Sequence, residues 1–149
     1  MTKLDQLADH GQSIWYDFIR RDMLTGSGLA DLVESGIRGV TSNPSIFDQA
    51  ISRTDLYDAQ IAELGAISPE AAFEALAIVD IKGAADVLAP VYEATEGLDG
   101  YVSLEVSPRL AHDTSGTIAD AMSWSNRPDS SALRRARGSS TPTIPHIRR

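Results

Sequence analysis

The sequence predicts an α/β chain of parallel βα units, and three observations carry that prediction. Short β-forming runs alternate with longer stretches of helical periodicity. The three runs end near polar residues, Asp17, Asn43 and Glu105. Pro44 and Pro108 stand just past two of them, where a proline removes a ladder donor and forbids a central strand from continuing. Because parallel sheets are covered by helices on both faces, a polar side chain is cheap only where such a strand ends.

Taken in order, Leu4, Leu7 and Ala8 make a short amphipathic helix ended by Gly11. Ser13 to Phe18 (SIWYDF) reads as an aromatic-rich first strand carrying Asp17 near its end. Leu29, Leu32 and Val33 have helical spacing closed by Gly36. The second strand contains Ile37 and Val40, is punctuated by Gly36 and Gly39, and delivers Thr41, Ser42 and Asn43 to a turn. Pro44 then suits the first turn of a helix that buries Ile46, Phe47, Ala50 and Ile51. From Asp55 to about Glu96 the pattern is helical, with Ser68 as N-cap and Pro69 at the first helical position. Its apolar stripe is Phe73, Leu76, Ala77, Val79, Ile81, Val87, Leu88 and Val91, and Pro90 predicts a kink or break. Gly97 and Gly100 release the chain into a third strand, Tyr101 to Val106, which Glu105 interrupts. Asp113 or Thr114 caps a helix running through Ile118 toward Met122.

The bulk properties remove several function classes. A chain of 149 residues with 42% hydrophobic content is one soluble domain by length. The absence of cysteine excludes a disulfide scaffold, a thiol nucleophile and a Cys-ligated metal. No run approaches the roughly 20 apolar residues a membrane span needs, and the charged N-terminus lacks a signal-peptide core, so a cytoplasmic protein is expected. The net charge of −8 is uneven: residues 123–149 hold six Arg against Asp129, for +5, whereas the rest holds seven basic and twenty acidic groups, for −13. So acidic a body disfavours non-specific nucleic-acid binding, and the Arg-rich end lacks aromatic interleaving beyond Trp124.

The candidate functional residues follow from the strand ends. In a (β/α) barrel, catalytic groups stand at the C-terminal rim, where Asp17, Asn43 and Glu105 fall. Each has a plainer reading. Asn43 is also the turn residue expected before a proline, and Glu105 is also a strand-end carboxylate facing solvent. If SIWYDFIRR were helical, Asp17 would be solvated and paired with Arg20 or Arg21. His10, His112 and His146 have no metal-ligand spacing, so no metal is expected.

Two long motifs, GVTSNPSIF at residues 39–47 and GYVSLEVSPRLAHDT at residues 100–114, occur in the right order at compatible spacing. Over about residues 1–122 the chain resembles the N-terminal portion of a transaldolase, of a class some of whose members are fused to a phosphoglucose isomerase domain. The resemblance implies the first three strands of a (β/α)₈ TIM barrel. It implies transfer of a dihydroxyacetone unit between sugar phosphates through a Schiff base, in the pentose phosphate pathway, without a cofactor. Position by position, Asp17 corresponds to an aspartate that assists proton transfer, and Glu105 to the glutamate that activates water for imine formation and hydrolysis. Asn43, with Thr41 and Ser42 in the same motif, corresponds to substrate-binding positions. Arg109 is given only a structural role.

The family's Schiff-base lysine stands on a fourth strand, in a motif resembling IKVPAT, and nothing here matches it. The chain has only Lys3 and Lys82, neither following a strand. After Met122 the sequence becomes an Arg/Ser/Pro-rich tail with no sustained period. The expectation is therefore a partial barrel over residues 1–122 and a tail, 123–149, that is disordered or read out of frame after a truncation. Such a chain is inactive alone, and its unpaired strand edges favour self-association or use as an interaction module.

Overall fold

The computed structural model describes residues 2–126. Its sheet has three parallel strands, β1 (Trp15–Tyr16), β2 (Gly39–Ser42) and β3 (Tyr101–Leu104), in the order β1-β2-β3. The helices are α1 (Lys3–Asp9), α2 (Arg21–Thr25), α3 (Gly28–Glu34), α4 (Pro44–Ser52), α5 (Asp58–Leu64), α6 (Pro69–Ala94) and α7 (Thr114–Asn126), and a 3₁₀ turn covers Pro108–Leu110. The α/β class and the parallel order are those the sequence predicts.

Local chemistry explains where the elements begin. Thr2 caps α1 in a reciprocal box with Asp5, whose carboxylate accepts from Thr2 N at 2.7 Å. Ser68 Oγ accepts from Ala71 N to open α6, with Pro69 behind it. Helix α6 buries Ala77, Ile81, Ala84, Leu88 and Val91, alternating steps of four and three that keep one stripe against the sheet. Val40, Phe47, Ile19 and Leu29 complete that core, joined by Tyr16, Val102 and Leu104 at its edge.

Two glycines are required by space. A Cβ on Gly39 would come within 2.5 Å of the Trp15 indole on the neighbouring strand. Gly100 has φ +86, and a Cβ there would run into the Tyr92 backbone.

Several boundaries differ from those expected. The first strand is two residues long, because Ile19 turns into the core and the chain enters α2, a helix the apolar pattern does not announce. The third strand stops at Leu104, so Glu105 lies just past it. Pro90 does not break α6: Asp86 and Pro90 are both exposed, so the missing backbone bond lies on the solvent side. Val79, taken as part of the stripe, is 46% exposed, while Asp80 beside it is fully buried. Helix α7 continues past Met122 to Asn126. The remainder of the Arg-rich tail, with its Arg residues and His146, lies outside the described residues.

Candidate active site at the strand ends

Strand alternation decides which side chains share a face. Tyr16, Val40, Val102 and Leu104 all pack into the helix-covered core. Their neighbours Trp15, Thr41 and Ser103 therefore belong to the opposite face, the side that faces a barrel interior. The indole of Trp15 across Gly39 and the bond from Thr41 Oγ1 to Asp17 Oδ1, 2.5 Å, fix that face across β1 and β2.

The three candidates continue the same alternation at the C-terminal ends. Asp17 follows Tyr16 directly and reaches Thr41. Asn43 is extended (φ −136, ψ 163), so it stays in phase with Thr41. Glu105 N–H donates to Ser42 O at 3.3 Å, carrying the β2–β3 ladder one residue beyond Leu104 and keeping Glu105 in phase with Ser103. Asp17, Asn43 and Glu105 thus stand at adjacent strand ends on one face. Asp17 and Glu105 are exposed and Asn43 is half-buried. No hydrogen bond joins any two of the three.

Each neighbour has a definite task. Asn43 Oδ1 accepts from Ile46 N at 3.0 Å, so the turn asparagine expected before Pro44 is in fact the N-cap of α4. That bond uses the carbonyl end of the amide and leaves its NH₂ to donate elsewhere. Ser42 is buried on the other face, where its hydroxyl donates to Ser103 O at 2.7 Å. It ties β2 to β3 and is turned away from the rim, whereas Thr41 is on the rim face. Asp17 is not paired with either arginine: Arg20 binds Asp22 and Arg21 binds Asp80. Arg109 is exposed, and its backbone N–H donates to Ser107 Oγ at 3.4 Å.

Beyond Glu105 lies an open cavity of about 510 Å³ lined by Leu104, Glu105, Val106, Ser107, Pro108, Leu110, Ala111 and Thr117. Neither Asp17 nor Asn43 lines it. Its roof is tied to α7 by Asp120, which accepts from Ser107 N at 3.3 Å, and by Thr117, whose hydroxyl donates to Leu110 O at 3.0 Å. Asp113 starts α7 by accepting from Gly116 N at 2.9 Å and from the Ser115 hydroxyl, which hold its carboxyl below the usual range.

Sequence reasoning missed one buried polar cluster. Asp80 accepts from Arg21 Nε at 2.8 Å and from the Tyr57 hydroxyl at 2.7 Å, with the guanidinium 4.4 Å from the centre of the Tyr57 ring. Burial pushes the Asp80 carboxyl up, against the pull of Tyr57 and Arg21. Burial, with the Asp80 bond second, also raises the Tyr57 phenol. The available signal was a charged residue on the apolar stripe of α6, three after Ala77 and four before Ala84.

A family model described as Transaldolase/Fructose-6-phosphate aldolase matches residues 14–129. The chain belongs to the transaldolase family. Similar proteins include a transaldolase of Thermobifida fusca, 50% identical over 123 residues, covering 80% of this chain and 33% of that one. A transaldolase 2 of Nostoc punctiforme is 49% identical over 119 residues, covering 78% and 31%. A transaldolase 2 of Streptomyces avermitilis is 44% identical over 126 residues, covering 81% and 34%. The chain therefore spans about a third of the length of the curated relatives it matches, and its three βα units form part of the family's barrel. Lys3 lies in α1 and Lys82 in α6, so neither described lysine stands at a strand end. No helix among the described residues is long and apolar enough to cross a membrane.

Proposed function

We propose that this chain carries the opening third of a transaldolase site: Asp17 as the proton-transfer acid/base, Glu105 as the group that activates water, and Asn43 with Thr41 as contacts to the dihydroxyacetone portion of a ketose phosphate. The observation that supports this reading is the phase of the three strand ends, which sets both carboxylates and the amide on the face away from the helices. A carboxylate exchanges protons in both directions and an amide NH₂ donates to a hydroxyl or carbonyl oxygen, the two capacities an aldol cleavage asks of groups around its substrate. Ser42, assigned to substrate binding by motif, acts through the β2–β3 tie instead. We place the work in the cytoplasm, with sugar phosphates as the substrate class.

These 149 residues have no strand-end lysine to form an imine, and loss of a covalent nucleophile costs on the order of 10⁶ in turnover. The chain alone is therefore expected to be silent with fructose 6-phosphate and erythrose 4-phosphate and to yield no adduct on borohydride reduction. An adduct on Lys82 overturns this.

A second reading is favoured by the sheet order, which among the described residues leaves β1 and β3 as the edge strands. In it, the chain associates with itself or a partner by strand addition. Size-exclusion chromatography with light scattering tests it: a discrete oligomer supports strand addition, and a monomer rejects self-association.

A further inference from the structure

Strand β1 meets β2 at only two register positions, Trp15 with Gly39 and Tyr16 with Val40, and Asp17 comes next. So short a ladder does little to hold the residues after it. Helix α2, which follows, has five residues, and the side chain of Arg20 at its N-cap binds Asp22 and makes no capping bond to the backbone. The connection from Asp17 to α2 therefore needs an anchor from elsewhere in the chain.

The buried cluster supplies it. Tyr57 Oη accepts from the backbone N–H of Arg21 at 3.3 Å, doing for α2 what a capping side chain does. The same hydroxyl donates to Asp80, which accepts Arg21 Nε, and Arg21 Nη2 reaches Leu76 O at 3.4 Å. Both the main chain and the side chain of Arg21 are thus fastened to α6 and the segment before α5. Ile19, 1% exposed, sits in the core between the clamp and Asp17.

We propose that Arg21, Tyr57 and Asp80 are positioning residues for Asp17: the clamp sets the reach of residues 17–20, and so the meeting of the Asp17 carboxylate with Thr41. The proposal rests on reading Asp17 as a rim acid/base, but it concerns where Asp17 stands, not what it does. An apolar trio of similar volume would fill the same space at no desolvation cost. It could not hold the Arg21 backbone, so a polar cluster suits a task of placement.

The test uses the whole chain, with ¹³C-labelled aspartate and glutamate carboxyls followed by NMR, and amide exchange measured alongside. Tyr57→Phe keeps the ring under the guanidinium and removes both hydroxyl bonds. The Asp17 carboxyl resonance should move while that of Glu105 stays. Amides 18–21 should exchange at least about tenfold faster while the β2–β3 ladder is unchanged, the size of one lost hydrogen bond read as local opening. Arg21→Lys, which keeps the charge but loses the fork and its bond to Leu76 O, should move Asp17 in the same selective way and guards against an unfolded first variant. An unmoved Asp17, or Asp17 and Glu105 altered alike, overturns the proposal. Should Asp17 prove idle in an intact relative's reaction, these shifts would persist, so the clamp and the functional reading fail separately.

Discussion

The two outer strands secure their rim carboxylates by opposite means. Strand β1 is paired at two positions, and its exit is bolted into the core through Ile19 and the Arg21–Tyr57–Asp80 cluster. Strand β3 is paired at four, and its exit runs over an open cavity, tied to α7 by hydrogen bonds between half-buried groups. Where the ladder is short, side-chain chemistry from distant elements takes over; where it is long, the backbone holds Glu105 and the loop beyond stays loosely fastened. The Asp17 side of the rim is thus specified by the interior, and the Glu105 side by the sheet.

The contrast breaks most visibly at Asp80. Asp80→Ala strands the Arg21 guanidinium, whose side chain is 17% exposed, and should cost about 3–5 kcal/mol, read as a fall in the urea midpoint. A loss under 1 kcal/mol would make the cluster incidental. Next comes Asn43→Ala, which removes the α4 cap between the two outer strands and should cost about 1 kcal/mol by the same measurement. On the β3 side, Asp120→Ala removes one bond to a backbone N–H, and a loss of about 0.5–1.5 kcal/mol is expected, with faster exchange confined to residues 105–110.

The smallest effect is one of pH. Asp113 has its carboxyl lowered from 3.8 by Gly116 N–H and Ser115. A group depressed in the fold contributes its full stability above its unfolded value and loses it as pH falls through the folded one. Amide protection in α7 should therefore be flat from pH 7 to 5 and fall below about pH 4, and Asp113→Ala should abolish that dependence. Asp80, raised by burial, has the opposite sign: its contribution is full below the unfolded carboxylate value and is lost as pH rises through the folded one.

The sequence made the α/β order legible because strand runs and helical stripes differ in period, and it marked the rim because Pro44 follows β2 just where polar residues begin; Pro108 stands four residues past the end of β3 and opens the 3₁₀ turn instead. Capping by Ser68 and Asp113 was readable from local spacing, since each bond spans three residues, whereas Asn43 was read as a turn residue and proved to cap α4. What stayed hidden was non-local. Arg21 meets Asp80 across 59 positions and Tyr57 meets it across 23, and no periodicity encodes such a pairing. The short β1 was hidden for a similar reason: Ile19 turns into a core built from distant elements, whereas β propensity favours the whole run SIWYDF. The inward turn of Ser42 was likewise a matter of strand phase, which a motif does not report.

The central claim is that Asp17, Asn43 and Glu105 share one face at adjacent strand ends. Because the chain has no cysteine, paired replacements test it cleanly. Neighbouring strands are about 4.8 Å apart, so a short bifunctional thiol reagent should couple Asn43→Cys with Asp17→Cys, and Asn43→Cys with Glu105→Cys. It should fail to couple Asn43→Cys with Val102→Cys, which lies on the helix-covered side. Coupling of the Asn43 and Val102 positions, with none to Asp17 or Glu105, would contradict the account.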